Sequence, residues 1–331
     1  MSSVSVIVVT WNGLALLRDC LAALSAQTLP HELIVVDNGS RDGSVAWLRA
    51  HAPQARVIAL PTNHGFAGGN NVGLRVATGE YLVLINNDAV PAPDFLERLV
   101  APMAENAHLG ATAGVLTFAQ RPQVIASAGM RVSRDGVHRD CMAGQPLTAL
   151  PQQPREIFGA SGGAVCYRRA ALEDAGLFDE RFFAYLEDAD LAWRLQLLGW
   201  RCMLAPDARA RHVYSATGGQ GSPFKQRLLA RNRWRVILRC VPAPLLRACW
   251  PAMVRYDLLA LGYALLTRQP AMIAGRLEVL RELPNLLGQR RRIQARRQVA
   301  AEDLARWLAP AVTVREMLAE QRRLRVLLQA A

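Results

Sequence analysis

The apolar run from Tyr81 to Ile85 stops abruptly on Asn86-Asn87-Asp88. It is too short for an ordinary helix and is bounded by Gly79 and Pro91, so it reads as a buried strand. A strand that ends on polar groups at one edge of a parallel sheet is where α/β proteins set ligand chemistry. Asp88 could aim a carboxylate at a hydrated cation, with Asn86 on the same side two residues back. The competing reading is a strand-end turn in which Asn and Asp cap their own backbone. A second acidic pair, Glu187-Asp188, precedes the apolar spacing Leu191, Leu195 and Leu198, which Gly199 ends. That pattern predicts a helix from Asp188, with acidic residues in the first turn where unpaired amides favour them. A carboxylate there can face a cleft while the helix behind holds it still.

These groups need elements to position them. Val4–Thr10 predicts a first buried strand ending at Trp11-Asn12-Gly13, followed by a helix over 14–26 with Leu14, Leu17, Leu21 and Leu24 at helical spacing. Leu33–Val36 predicts a second strand closing on Asp37-Asn38-Gly39-Ser40, then a helix over Ser44–Ala50. Val57–Leu60 predicts a third strand running into a polar, glycine-rich loop over 61–71. A helix carrying Val72, Leu74 and Val76 follows, and then the strand at Tyr81. Alternation of this kind with short joins predicts an α/β fold, a mostly parallel sheet flanked by helices, with one cleft along the edge where the polar segments fall. The loop's glycines would let backbone pass close to a ligand. Asn63, Asn70 and Asn71 offer amides that bond hydroxyls without repelling phosphate. The loop follows the third strand and lacks a Gly-Lys-Ser/Thr ending, which argues against both a dinucleotide fingerprint and a nucleotide-hydrolase loop. Further on, Phe95–Asn106 predicts a helix, and Val115–Phe118, Gly162–Tyr167 and Cys202–Ala205 predict strands. The passage 120–156 has no clean period.

Charge is unevenly distributed. Residues 1–220 carry 18 Arg/Lys against 20 Asp/Glu, a net of −2, and residues 221–331 carry 21 against 7, a net of +14. Nucleic acid or an anionic membrane surface could account for the basic last third. Within it, Arg247, Arg255 and Asp257 interrupt the apolar stretch 241–266, and three prolines crowd its start, so it falls short of the ~20 apolar residues of a spanning helix. It reads as amphipathic or re-entrant helices lying on a membrane, or as helices packed on the front domain or on a second copy in a homo-oligomer. Arg290-Arg291-Arg292 and Arg296-Arg297 would suit lipid phosphates, and the tail from Ala300 reads as a leucine- and arginine-rich helix. The six cysteines show no metal-ligand spacing, which fits a reducing compartment, and no basic segment precedes the first strand, which predicts no secretory signal.

Taken together, Thr10-Trp11-Asn12-Gly13, VDNGSRDGS (36–44), NHGFAGGNN with Gly73 (63–73), LINNDAVP (84–91), ASGGAVCYRR (160–169) and GLFDERFFAYLEDADLAWR (176–194) resemble the inverting glycosyltransferase family with a GT-A fold, family 2, in its bacterial rhamnosyltransferase-like branch. The resemblance spans about residues 4–240 in the family's order. It implies a GT-A domain over 1–240 and leaves 241–331 as a helical, basic membrane-surface or oligomerisation region. It implies Asp37 as the carboxylate that receives nucleobase N–H groups, with Asn38 beside it. Thr10, Asn12, Asn63, Gly68, Asn70, Asn71 and Asn86 would be further nucleotide-sugar contacts. Where the family usually has Asp-x-Asp, this chain has Asn86 at the first position, so Asp88 is the one anionic ligand for Mg²⁺ or Mn²⁺. His212 matches a position that adds a ligand or touches the phosphates, though a lone histidine is equally often structural. Asp188 looks like the general base, with Glu187 in that role if the alignment is off by one. Each would raise the other's proton affinity. Asp190 would orient or cap. Arg194 would meet the diphosphate or pair within the fold. Lys225, Arg231 and Asn232 fall where the family places a mobile segment over the cleft, and Arg231 could neutralise the leaving group.

The implied reaction moves a sugar from a nucleoside-diphosphate donor, dTDP-L-rhamnose foremost and UDP-galactofuranose or a UDP-hexose next. The implied acceptor is a lipid-linked saccharide or a growing surface polysaccharide. The implied location is cytoplasmic, peripheral on the inner face of a bacterial inner membrane. Two rivals remain. A nucleic-acid-binding protein would rest on the basic tail, but the acidic front with its paired carboxylates argues for no nucleic acid. A catalytically silent scaffold of a polysaccharide assembly complex is opposed by intact Asp37, Asp88 and Asp188.

Overall fold

The computed structural model describes residues 3–213 and 221–313, with Glu316, Ala319 and Arg322 beyond them. The front of the chain alternates as its apolar runs require: β1 (Val4–Thr10), α1 (Leu14–Ser25), β2 (Glu32–Asp37), α2 (Ser44–His51), β3 (Arg56–Ala59), α3 (Gly65–Val76) and β4 (Tyr81–Asn86). β5 (Ala89–Pro91), α4 (Phe95–Glu105), β6 (Leu109–Phe118), β7 (Arg121–Ser127), β8 (Met130–Ser133), β9 (His138–Asp140), β10 (Arg155–Ile157) and β11 (Ala164–Arg168) follow. Then come α5 (Arg169–Ala175), α6 (Glu187–Leu197), β12 (Arg201–His212), α7 (Pro223–Cys240), α8 (Ala243–Leu266), α9 (Pro270–Ala295), α10 (Ala301–Ala305) and β13 (Leu308–Ala309).

One large sheet runs β10-β12-β6-β11-β4-β1-β2-β3. Its β3-β2-β1-β4 half is parallel, and β11 enters antiparallel between β4 and β6. In register, Thr10 faces Asp37 and Val9 faces Asn86, so the polar ends of β1, β2 and β4 finish side by side. β1 has β4 on one side and β2 on the other, which makes this edge the switch point of the winding. Buried residues fill both faces of the sheet. A third apolar cluster joins α6 through Trp193 to α7, α8 and α10.

Four expectations change here. The 61–71 segment is not an open loop, because α3 begins at Gly65. Its glycines seat the helix against the sheet: a Cβ on Gly69 would lie 2.7 Å from Val9 Cγ1, and one on Gly73 would lie 2.5 Å from Ile7 Cγ2. β12 runs twelve residues rather than four, since Asp207–His212 alternates exposed and buried positions. The stretch 243–266 is one helix in spite of Pro251, and Asp257 is a packing anchor that pairs with Arg233 and Arg276 at 2.7 Å each. The tail after Ala300 opens as the short α10 and then as β13, which pairs with β8, so it is not one continuous helix from Ala300.

Candidate active site

The ends of β1, β2 and β4 open into a cleft of about 840 Å³. Asn38 shapes its near wall. Its side chain donates to Asn63 Oδ1 (3.0 Å) and to the Gly65 carbonyl (2.9 Å), and accepts from the His64 amide (2.9 Å). Asn63 Oδ1 in turn accepts from the Gly65 amide at 2.7 Å. This folds the chain into α3 at a positive φ of 72°, where a Cβ would also overlap the Phe183 carbonyl, so only glycine fits. Asp37 is buried, with Oδ1 accepting from the Ser40 amide and Oδ2 without any partner. A buried carboxylate oxygen with no donor costs free energy until one arrives. Thr10 Oγ1 is fixed by Asn87 Nδ2 at 3.1 Å, and both residues line the cleft.

β4 and β12 bring Asp88 and His212 together, with Asp88 Oδ1 3.0 Å from His212 Nε2 and both side chains largely buried in the cleft wall. Asn86 Nδ2 lies 3.3 Å from the same imidazole nitrogen. Among the described residues no three His, Cys, Asp or Glu side chains gather as a metal cage. The pair still suits a hexacoordinate ion: adjacent ligands at bond lengths of 2.0–2.1 Å sit about 3 Å apart.

The facing wall comes from α6 and the bend before it. Asp188 Oδ2 accepts from the Gly162 amide at 3.0 Å, and Oδ1 from the Ala189 amide at 2.8 Å. Burial pushes its carboxyl up to about 6, against these two amides. Glu187 beside it is raised well above the usual carboxylate range by burial and then by the charge of Asp188, and its Oε2 has no partner. A bonded path connects the two walls. Gly162 holds Asp188, the next residue's carbonyl accepts from the Asn86 amide at 3.1 Å, and Asn86 touches His212.

The bend Phe183–Leu186 is strained, with φ of 65°, 69° and 68° at Phe183, Tyr185 and Leu186. Non-glycine residues in this region cost roughly 1–3 kcal/mol each and persist only when their surroundings over-determine them. Here one side-chain amide does much of that. Asn232 Nδ2 donates to the carbonyls of Phe182 (3.1 Å), Ala184 (2.9 Å) and Tyr185 (2.7 Å). Arg231 adds a bond to Phe182 O at 3.0 Å.

Several expected contacts lie elsewhere. Arg194 points away from the cleft, spanning the carbonyls of Ala175, Gly176 and Leu177 and pairing with the fully buried Asp190 at 2.8 Å. Its guanidinium is thus spent on joining α5 to α6, not on a diphosphate. Arg231 is held to the 181–182 carbonyls rather than aimed at a leaving group. Asn71 is turned to Phe178 and Glu180, Asn70 donates to Phe66 O, and Gly68 packs over His64. Asn12 sits outside the cleft, its Oδ1 accepting from the Arg41 amide and its own amide bonded to Ser40. Lys225 does line the cleft, its amine 5.2 Å from the Tyr185 ring centroid and its pKa lowered by burial. Tyr214 and Ser215, which follow His212, lie outside the described residues. Sequence reading passed over Asn87, whose neighbours Asn86 and Asp88 carried the pattern. It also passed over His138-Arg139-Asp140 on β9, which line the cleft from within the passage that had no period.

This sheet, its winding and the cleft at its switch point have the GT-A fold. Residues 5–176 match the model of Glycosyl transferase family 2, more than half of the chain, and the protein belongs to that family. The O-antigen biosynthesis protein RfbC of Myxococcus xanthus is 31% identical over 230 residues, covering 65% of this chain but 17% of that protein. The N-acetylglucosaminyl-diphospho-decaprenol L-rhamnosyltransferase of Mycobacterium tuberculosis is 29% identical over 240 residues, 65% of this chain and 77% of the relative. Among solved structures, GalNAc-T7 with UDP, GalNAc and Mn²⁺ aligns with a TM-score of 0.58 at 18% identity, over 72% of this chain and 48% of that one. The mannosyltransferase PcManGT from Pyrobaculum calidifontis, with GDP-Man and Mn²⁺, aligns with a TM-score of 0.53 at 20% identity, over 98% and 81%. Both likenesses concern the fold.

Proposed function

We propose that this protein is an inverting, metal-dependent glycosyltransferase that moves a sugar, L-rhamnose foremost, from a nucleoside-diphosphate donor to a hydroxyl of a lipid-linked or polysaccharide acceptor. The observation that carries the reading is the single cleft holding an amide-bound carboxylate, Asp188, and the Asp88–His212 pair, joined through Gly162 and Asn86. Asp88 and His212 would hold Mg²⁺ or Mn²⁺, which when bound neutralises charge on the diphosphate. Asp37, which does not itself line the cleft and whose unpaired Oδ2 is closed to solvent, would receive a nucleobase N–H once the ligand enters, and Thr10, Asn38 and Asn63 line the cleft beside it. Asp188 takes the proton of the acceptor hydroxyl as that oxygen bonds to the anomeric carbon, and the bond to the diphosphate breaks on the opposite face, inverting the centre. A carboxyl near 6 is mostly ionised at neutral pH and still basic enough for the task.

The donor and acceptor rest on what the Mycobacterium tuberculosis relative is named for. A UDP-hexose or UDP-galactofuranose is the alternative within the same chemistry. We place the enzyme at the cytoplasmic face of a bacterial inner membrane, bound to an anionic lipid surface. Leu258, Leu259, Tyr263, Leu265 and Leu266 on α8 and Leu277, Leu280 and Leu287 on α9 are exposed, in a region of net charge +14. Among the described residues no helix is long and apolar enough to cross a membrane. The test is nucleotide-sugar turnover with Mn²⁺ or Mg²⁺, offering dTDP-rhamnose, UDP-sugars and GDP-sugars with lipid-linked acceptor, beside the Asp188→Asn and Asp88→Ala variants. Metal-dependent transfer lost in both variants supports the reading. Turnover unaffected by either variant would sink it.

A further inference from the structure

A second cavity, of about 230 Å³, lies apart from the cleft, between the α5–α6 junction, α7 and α9. That is about eight times the ~30 Å³ share of a liquid water. Four arginines line it: Arg181, Arg194, Arg239 and Arg292. Two carboxylates oppose them. Asp179 binds Arg181 at 2.6 Å and also pairs with Arg239, while Asp190 binds Arg194 at 2.8 Å and lies 3.4 Å from Arg239. Four cations against two anions leave an excess of +2 around a space open to solvent on one side.

Hydrogen bonding there is also incomplete. Arg239 is 5% exposed, yet its Nε has no partner, and Gln289, 4% exposed, has an unpartnered Oε1. Buried donors and acceptors are almost always satisfied, so two unpaired ones on side chains that line one cavity mark a place where the polar packing is incomplete. Arg292 stands exposed at the rim.

We propose that this cavity is a phosphate-binding site. A phosphate or phosphomonoester carries about −1.5 to −2 at neutral pH, which matches the excess charge. Its oxygens accept from the guanidiniums that line the cavity, Arg292 at the rim foremost, and binding turns Arg239 and Gln289 so that their unpaired atoms, closed to solvent in the empty site, meet the ligand. The site bears on the active site through the chain itself. Asp179 caps the turn Glu180–Phe182, which leads straight into the strained bend before Glu187 and Asp188. An anion held by Arg181 and Arg239 therefore fixes the start of the segment that carries Asp188. A free phosphate ester or a lipid phosphate headgroup would supply the same chemistry.

The test is thermal unfolding of the full chain titrated with inorganic phosphate at constant ionic strength, against chloride. Wild type, Arg292→Glu and Arg291→Glu are compared. Arg291 neighbours Arg292 on the same helix and is exposed but does not line the cavity, so it controls for charge alone. The expected result is a saturable rise in Tm with phosphate, whose midpoint weakens at least tenfold in Arg292→Glu and stays within threefold in Arg291→Glu. Addition of a nucleoside diphosphate, which addresses the cleft, leaves the midpoint unchanged. A non-saturating response, equal weakening in both variants, or displacement by the nucleotide overturns the proposal. Vesicles of phosphatidylcholine with and without phosphatidic acid identify the source. Binding that soluble phosphate competes away, and that Arg292→Glu alone weakens, marks a lipid headgroup, whereas a phosphate response with no vesicle competition marks a soluble ester. Because these readouts need no turnover, they stand or fall separately from the transferase reading.

Discussion

Replacing Asp188 by Asn should nearly abolish turnover while leaving the fold about as stable as before. The carboxyl is raised from 3.8 to about 6 by burial, so at neutral pH the native state holds an anion it would rather protonate. At 1.36 kcal/mol per pKa unit the gap is worth about 3 kcal/mol, and nearer 2 once its partial exposure is allowed for. Asn removes that cost. It also presents one oxygen where Asp188 presented two to the Gly162 and Ala189 amides, and an unsatisfied buried amide costs about 1–3 kcal/mol. The two effects nearly cancel, so Tm should move by less than about 4 °C. The sign in pH is definite. The folded carboxyl binds its proton more tightly than the unfolded one, so its contribution to wild-type stability is full below pH 4 and is lost as pH rises through about 6. The difference in unfolding free energy between wild type and Asp188→Asn should therefore change by about 2 kcal/mol across that window. In activity, kcat/KM of the wild type should fall about tenfold per unit below pH 6, and the variant's residual rate, lower by 10²–10⁴, should lack that limb. Glu187→Gln, in which a group already driven towards protonation is replaced by its neutral isostere, should keep most of the rate. The assay is initial velocity with the active donor beside thermal melts from pH 4 to 8. Equal losses in the two variants, or an acid limb that survives in Asp188→Asn, would refute the assignment of the base.

Other consequences are smaller but equally direct. Gly73→Ala pushes a Cβ to within 2.5 Å of Ile7 Cγ2 and should lower stability by about 1–3 kcal/mol, read as a drop in denaturant midpoint. Asn232→Ala removes the one donor shared by the carbonyls of Phe182, Ala184 and Tyr185, and should lower kcat more than it raises KM while displacing the acid limb, because the bend that holds Asp188 relaxes. An unchanged pH profile in that variant would show the bend to be held by other contacts. Leu265→Ser with Leu266→Ser, at positions 68% and 87% exposed, should weaken co-sedimentation with phosphatidylglycerol vesicles at least tenfold and leave the Tm unchanged.

How much of this was legible in the sequence depends on which force set each part. The ends of β1, β2 and β4 were readable because a fully buried strand must be an unbroken apolar run, and the first polar residue after it marks the sheet edge. Asp37 and Asp88 stand at such boundaries, and the Glu187-Asp188 pair stands instead at the start of α6, where acidic residues are favoured. β12 was readable too but was missed past Ala205. Asp207 to His212 alternates exposed and buried positions, yet its inward residues are mostly alanines too small to look like a core face. The glycines of α3 misled for a physical reason: glycine is disfavoured within helices, but here a missing side chain is what lets the helix lie on Val9 and Ile7.

The basic residues were the least legible, and the reason bears on the mechanism. A sequence gives the number of arginines but not the carbonyls they answer to. Arg194 and Arg231, both candidate diphosphate contacts by position, are consumed in holding main-chain oxygens around residues 175–182. The strain at Phe183, Tyr185 and Leu186 can persist only because such donors surround it. Part of the polar surface of α7 thus holds the bend that precedes Asp188. It follows that the cleft keeps few cations of its own to meet a diphosphate. Among the described residues, Arg139 and Lys225, the chain's one lysine, line that cleft. On the proposed reading, with Arg194 and Arg231 turned away, neutralising the leaving group falls to Arg139, Lys225 and whatever Asp88 and His212 bind, so turnover should depend steeply on added Mg²⁺ or Mn²⁺.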